Sequence, residues 1–331
     1  MANPSTVIFI GNGYDVADGY KTKYSDFYQD DLFKELAKTN HLAAYINLVN
    51  SATDKWSDLE EQLYNYSCVI THIRNNGGIH PGANFPADTV AAIKRAAMRQ
   101  DSAEYFHSEF KALQDCLGQY IIKASDPNQY TYNESHKFLK FMTDDWLSED
   151  DSTLIISFNY TDFFYGRNGK ANIQYVHGSI KTLVKDKQTG KLEPYGTQKT
   201  SNIVLGIDEG MEVETSHSFL YKSYNEPTNI HHLASILQAA KRYIIFGCSL
   251  GVSDKWYFDK VFNSQYQDKT YEIYHYGTGD QLSINSRIKD ISKVNIADFK
   301  EKNDVLYLDS SDIEKALEKR KEYYSEHPFK P

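Results

Sequence analysis

The sequence predicts an α/β fold, a largely parallel sheet flanked by helices, and two observations carry that expectation. Short apolar runs, most of them rich in β-branched or aromatic residues, recur at Val7–Ile10, Leu154–Ser157, Ile173–Val176, Ile203–Leu205, Tyr243–Phe246, Glu272–His275 and Val305–Leu308, and several end in glycine. Helical patterns lie between many of them, which implies crossover connections and therefore parallel neighbours.

Taken in order, the run Val7–Ile10 is too short for a helix and is closed by Gly11 and Gly13, so it reads as strand, tight turn, helix. The interval from Leu32 to Trp146 has almost no strand signal and holds several helical stretches, Trp56–Arg74 and Thr89–Lys123 among them. Residues 32–146 are therefore expected to form a helical subdomain inserted after the first strand and helix, leaving 1–31 and 147–331 as the core. "NNGGIHPGANFP", Asn75 to Pro86, is its clearest loop, because no helix interior accepts those glycines and prolines. Lys181 to Thr200, with "KDKQTGKLEPYG", is expected to form an exposed excursion.

Composition narrows the function classes. With 331 residues, 40% hydrophobic and 24% charged, the chain can bury one large core or two smaller ones. No apolar run approaches the roughly 20 residues that span a bilayer, and the start lacks the basic and apolar regions of a signal peptide, so a cytoplasmic protein without membrane partners is expected. Cys68, Cys116 and Cys248 form no C-x-x-C pair, which argues against a disulfide framework or structural zinc. A net charge of −9 without an arginine-rich block lacks the footprint of a nucleic-acid binder.

Three constellations carry chemistry. Gly11, Gly13 and Gly19 are spaced G-x-G-x5-G, not the G-x-G-x-x-G of the dinucleotide fingerprint, yet the physical logic survives: glycines admit a pyrophosphate, and free amides with a helix dipole attract it. Asp15 either accepts from a ribose hydroxyl or caps the following helix; the plainer reading of the glycines is a tight turn that needs small residues. Asn159 in "LIISFNYTDFF" and His177 in "IQYVHGSIK" each sit just beyond an apolar strand, the edge where open α/β sheets hold ligands. An amide that donates and accepts stands there with a group that exchanges protons near neutrality; the plainer reading is a turn asparagine and a core histidine.

The third constellation is "RYIIFGCSLGVSDKWYFDKVF". Gly247, Ser249 and Gly251 match the G-x-S-x-G of a serine hydrolase, but only His275 and His327 follow Ser249, and no HGGG-like stretch precedes it. The alternatives are a small-residue turn feeding a helix capped by Ser253 or Asp254, and a phosphate or ribose contact through the Ser249 hydroxyl. In "KWSDLEEQL", Glu60 and Glu61 read first as a solvated face and second as carboxylates lining the cleft.

The set "IFIGNGYDVADGYKTKYSDF", "KWSDLEEQL", "SFNYTD", "VHGSI", "IVLGID" and "IIFGCSLGVSDKWYF" resembles the AbiH-type bacteriophage abortive-infection family over nearly the whole chain. More distantly the strand-end motifs resemble the sirtuin-like NAD-binding core. Gly11-Asn12-Gly13 through Gly19 is similar to its glycine loop, and Asn159 falls at the asparagine of T-Q-N-I-D. His177-Gly178 falls at the catalytic H-G, and Gly247-Cys248-Ser249-Leu250 at G-T-S-L. Asp162 lies three residues after Asn159 where the sirtuin aspartate lies two after, and the paired C-x-x-C zinc module is missing, which argues against deacylation.

The resemblance implies a Rossmann-like, sirtuin-type core and an antiphage effector that hydrolyses NAD at the nicotinamide–ribose bond. Asn159 would position ribose and water, and His177 would act as general base or ribose-hydroxyl partner. Gly11, Asn12, Gly13, Gly19, Gly247 and Ser249 would hold phosphates and ribose, with Asp15 and Asp162 in support. NAD enters as substrate, with no prosthetic group or metal expected, and Cys248 carries no assigned role. A non-catalytic nucleotide sensor or scaffold is the alternative, and the serine hydrolase the third. A phage-derived trigger and a homo-oligomer with contacts from Trp56, Phe106 and Tyr120 complete the expectations.

Overall fold

The structure, a computed structural model, describes residues 4–52, 59–77, 86–125, 153–161, 172–180, 183–185, 192–194, 203–208, 210–225, 231–251, 254–263 and 267–327. Six strands, β1 (Thr6–Ile10), β2 (Thr153–Ser157), β3 (Asn172–Tyr175), β6 (Arg242–Phe246), β7 (Thr270–His275) and β8 (Asp304–Asp309), form one all-parallel sheet in the order β3-β2-β1-β6-β7-β8. A small antiparallel pair, β4 (Leu183–Lys185) with β5 (Leu192–Pro194), stands apart from it.

Both faces of this sheet are covered, which is why its central strands read as continuous apolar runs and not as an alternation. Along β1, Val7 and Phe9 point into one cluster and Ile8 and Ile10 into the other, all at most 1% exposed. Helices α9 (His231–Ala239), α10 (Lys255–Val261), α11 (Gly277–Ser292) and α12 (Ile296–Lys302) cover the first face with Leu233, Phe258, Ile288 and Phe299. Helix α1 (Gly13–Ala17) with Tyr14, and α13 (Ile313–Glu326) with Ile313 and Leu317, cover the second.

Between β1 and β2 run α2 (Tyr24–Gln29), α3 (Asp31–Leu36), α4 (His41–Ala52), α5 (Leu59–Asn76), α6 (Ala87–Ala97) and α7 (Ser102–Ala124). They build a third cluster around Phe33, Tyr66, Phe106 and Phe110, which also takes in Tyr160, Ile180, Leu205 and Leu220 from beyond the first strands. Phe106 and Tyr120, expected as contact surface, are buried in this core at 1% and 4% exposure; Trp56 lies outside the described residues. The stretch expected to be helical from Thr89 to Lys123 is broken by a turn at residues 98–101, across which the exposed Arg99 guanidinium and Asp101 carboxylate pair at 2.8 Å.

One expected strand is absent. Ile203–Leu205 is buried but joins no sheet: the Val204 amide donates to the His177 carbonyl at 2.8 Å, and Gln114 holds the Ile203 carbonyl. Its apolar side chains pack into the helical cluster, a use that β-branched composition does not distinguish from a sheet.

Candidate functional site

Register brings the candidate residues together. Ile10 pairs with Ser157 on one side and Phe246 on the other, and Ser157 pairs with Tyr175, so the turns after β1, β2, β3 and β6 leave the sheet at one level. The chain goes from β1 to β2 and β3 on one side and then to β6, β7 and β8 on the other. The direction of travel thus reverses between β1 and β6, the place where open α/β sheets form a crevice. A cleft of about 730 Å³ opens there, lined by Gly11, Asn12, Gly13, Asp15, Asn159, His177, Gly247 and Ser249 among others.

The glycines serve a close approach of backbone to backbone. The Gly11 amide donates to the Phe246 carbonyl and the Gly13 amide to the Gly247 carbonyl, both at 2.9 Å. A Cβ on Gly13 would stand 2.6 Å from Gly247 Cα, and one on Gly247, whose φ is +67°, 2.5 Å from the Tyr14 amide nitrogen. The two turns are therefore welded, and two of the amides read as phosphate donors are already spent. Gly19, with φ +98°, ends α1 in the left-handed conformation and does not line the cleft. Asp162 lies outside the described residues.

Asp15 lies inside α1 and does not cap it; its carboxyl is turned toward the end of β2. Buried at 1% exposure, it accepts the Asn159 side-chain amide on one oxygen and the Thr161 hydroxyl, at 2.8 Å, on the other. Burial raises its pKa well above the ordinary carboxyl value, and the charge of Asp18 adds to this against the lowering by its hydrogen bonds. Asn159 is thereby pinned with its Oδ1 buried and without a hydrogen bond among the described residues. On the same wall Asn12 and Thr22 hold each other, Thr22 Oγ1 donating to Asn12 Oδ1 at 2.6 Å.

His177 sits in a cluster that the sequence did not announce. Its Nε2 lies 3.0 Å from Asp254 Oδ1 and 3.1 Å from Lys222 Nζ, and Lys222 donates to the same carboxylate oxygen at 3.1 Å. Burial first, then the Lys222 charge, push the imidazole pKa down, so the ring is neutral at pH 7. Burial alone would raise Asp254, but Lys222 and then His177 hold it far below the usual carboxylate range. Asp254 stands at the first turn of α10 without capping it; its side chain turns to the cluster instead. Lys222, the first residue of helix α8 (Lys222–Asn225), arrives through the pairing of Ile207 with Tyr221, which requires glycine at 206, since a Cβ there would lie 2.4 Å from the Leu220 carbonyl oxygen.

Two further findings correct the sequence reading. Glu60 is 5% exposed, lines the cleft and accepts from the Tyr24 hydroxyl at 3.1 Å, so the solvated-face reading fails for it and holds for exposed Glu61. A signal was present: Glu60 lies on the buried stripe of α5 with Leu63, Ser67 and Ile70. Ser249 is exposed in the cleft, but the strained backbone of its turn falls at Gly247 and Leu250 (φ 52°), and no histidine bonds its hydroxyl among the described residues.

The family described as bacteriophage abortive infection AbiH has a model that matches residues 7–276, from β1 to the end of β7. The chain belongs to the AbiH family. Comparison with curated proteins gives no match. The AbiH match takes in the cleft from Gly11 through Tyr276 and stops short of the rim residues Asp280, Ser310 and Ser311. Among the described residues of this AbiH family member, no helix is long and apolar enough to cross a membrane.

Proposed function

We propose that this AbiH protein is an abortive-infection effector that binds NAD, or a nucleotide of the same build, in the cleft and cleaves its nicotinamide–ribose bond. The family assignment supports the defence role. Counted by sheet strands alone, the order 3-2-1-4-5-6 is that of doubly wound Rossmann sheets that bind dinucleotides at the reversal point, which supports the ligand class and the Rossmann-like, sirtuin-like reading. The observation that carries the proposal is Asn159. A buried amide fixed by a buried carboxyl in the lining of a strand-end cleft, with an acceptor that no described group satisfies, supports a ligand contact there.

The chemistry asks little of the protein. The ribose C1′–N bond breaks with its electron pair passing to the cationic pyridinium nitrogen, water oxygen bonds to C1′, and the water proton leaves to a base or to solvent. The transition state is oxocarbenium-like, so a site accelerates the step by fixing ribose and water and by placing negative charge near the carbon. Asn159 would orient the ribose hydroxyls and water, and neutral His177 would accept from a hydroxyl or hold Asp254 in place. The measurement is nicotinamide release by the purified protein beside Asn159→Ala and His177→Ala variants of equal folded stability. Turnover lost in both supports the reading, and turnover kept in both rejects it.

One observation favours a second reading, a sensor that binds without turnover. The His177 ring is engaged on Nε2 by Lys222 and Asp254 and also by the Phe158 backbone, which leaves it poorly placed as a free base. Tight binding with no nicotinamide released, unchanged in His177→Ala, would decide for the sensor.

A further inference from the structure

The Lys222–Asp254 pair has a direction. The Lys222 side chain is 6% exposed and does not line the cleft, whereas the Asp254 side chain is 18% exposed and does. Both partners of Asp254 bind Oδ1, and Oδ2 accepts no hydrogen bond among the described residues. The pair is thus a buried dipole whose negative end faces the cavity, with a neutral imidazole beside it. Other residues that carry acceptors line the same space: Asn159, Glu60 and Asp280. Lys23 and His275 also line the cleft, but neither contacts Asp254.

A wall that carries several carboxyl side chains, one of them held in place by a buried lysine, calls for a ligand end that carries hydrogen-bond donors and positive charge. A ribosylated pyridinium with its carboxamide has both: two ribose hydroxyls, an amide NH₂ and a cationic ring. The reduced dihydropyridine keeps the donors and loses the charge.

We propose that Asp254 is the carboxylate that meets the positive end of the ligand, so that the site takes the oxidised nicotinamide nucleotide in preference to the reduced one. This rests on the nucleotide reading above and names its substrate form. The same carboxylate stands where an oxocarbenium carbon gains positive charge as the leaving group becomes neutral.

The test is the pair of dissociation constants for NAD⁺ and NADH, measured by calorimetry at pH 7.5. The wild type is expected to bind the oxidised form at least about tenfold more tightly, ~1.4 kcal/mol. Asp254→Asn is expected to bring the two within about twofold by weakening the oxidised form alone. Because that variant leaves Lys222 buried without its anion, Lys222→Met with Asp254→Asn is measured beside it, and the same levelling is expected. A preference that survives in both variants, or equal binding by the wild type, overturns the role of Asp254 and leaves the nucleotide reading standing. Failure of the wild type to bind either form overturns the nucleotide reading and this inference with it.

Discussion

Asn159 gives its side-chain amide to the Asp15 carboxyl, so a residue just beyond β2 is held by one from helix α1. Removing the amide should cost activity first. In Asn159→Ala, nicotinamide release is expected to fall by about a hundredfold or more, in the range seen when one polar group at a charge-developing centre is lost. The stability loss should stay near ~1–3 kcal/mol, the cost of a buried carboxyl stripped of one partner. Chromatographic turnover and urea denaturation of the same samples check the two figures; equal turnover in both proteins would remove Asn159 from the mechanism.

The carboxyl itself makes a pH prediction. Asp15 has a raised folded pKa, burial being the main cause, so the folded state keeps a proton that the unfolded chain releases above the ordinary value of 3.8. Its contribution is complete below that pH and is lost as pH rises toward the folded value. His177 runs the other way: its pKa is lowered, mainly by burial and then by Lys222, so its contribution is complete above 6.5 and is lost as pH falls below it. Asp15→Asn cannot ionise, so its stability relative to the wild type should improve as pH rises above 4.5 and level off once the folded carboxyl ionises, read by chemical denaturation at each pH up to 8. A constant difference across that range would show that Asp15 titrates normally.

The welded turns predict a graded glycine series. Gly247 has φ +67° and would place a Cβ 2.5 Å from the Tyr14 nitrogen, whereas Gly277 has φ +71° and open space around it. Gly277→Ala should therefore cost only the left-handed penalty of about 1–2 kcal/mol. Gly247→Ala should cost several kcal/mol more, because two backbones must separate, and should lower the melting temperature far more. Similar melting temperatures would mean that the turns can part freely.

Strands were readable where chemistry and setting agreed. Ile8 and Ile244 lie in β-branched runs that end near glycine, and a sheet covered on both faces asks for nothing else. Ile203 has the same local character and went to the helical core, because propensity does not say which surface a run is buried against. The site was legible residue by residue but not in its pairings. Asp15 and Asn159 are 144 positions apart, and Lys222 carried no motif, so the buried lysine that pairs with Asp254 beside His177 came only with the fold. Glu60 was misjudged because a carboxylate is usually solvated, although its helical phase placed it among core residues.

Ser249 supplies a negative prediction. Without a bonded histidine among the described residues, and with left-handed strain at Gly247 and Leu250 instead of at the serine, it has no activating partner for acyl transfer. A fluorophosphonate probe should leave the protein unlabelled, and Ser249→Ala should reduce nicotinamide release by less than about tenfold, as for loss of one hydroxyl contact. Covalent labelling confined to Ser249 would restore the hydrolase.

Glu272 lies inside the sheet at 0% exposure, and its two oxygens take Arg242 and Tyr274 from β6 and β7 and Arg320 and Tyr324 from α13. The family match ends at residue 276, yet two of the four groups that satisfy this carboxylate come after it. A truncation drawn at the family boundary would leave an anion in the protein interior with half its ligands gone, so the segment after β7 is a folding requirement of the half that carries the cleft and not an appendage that can be trimmed for expression.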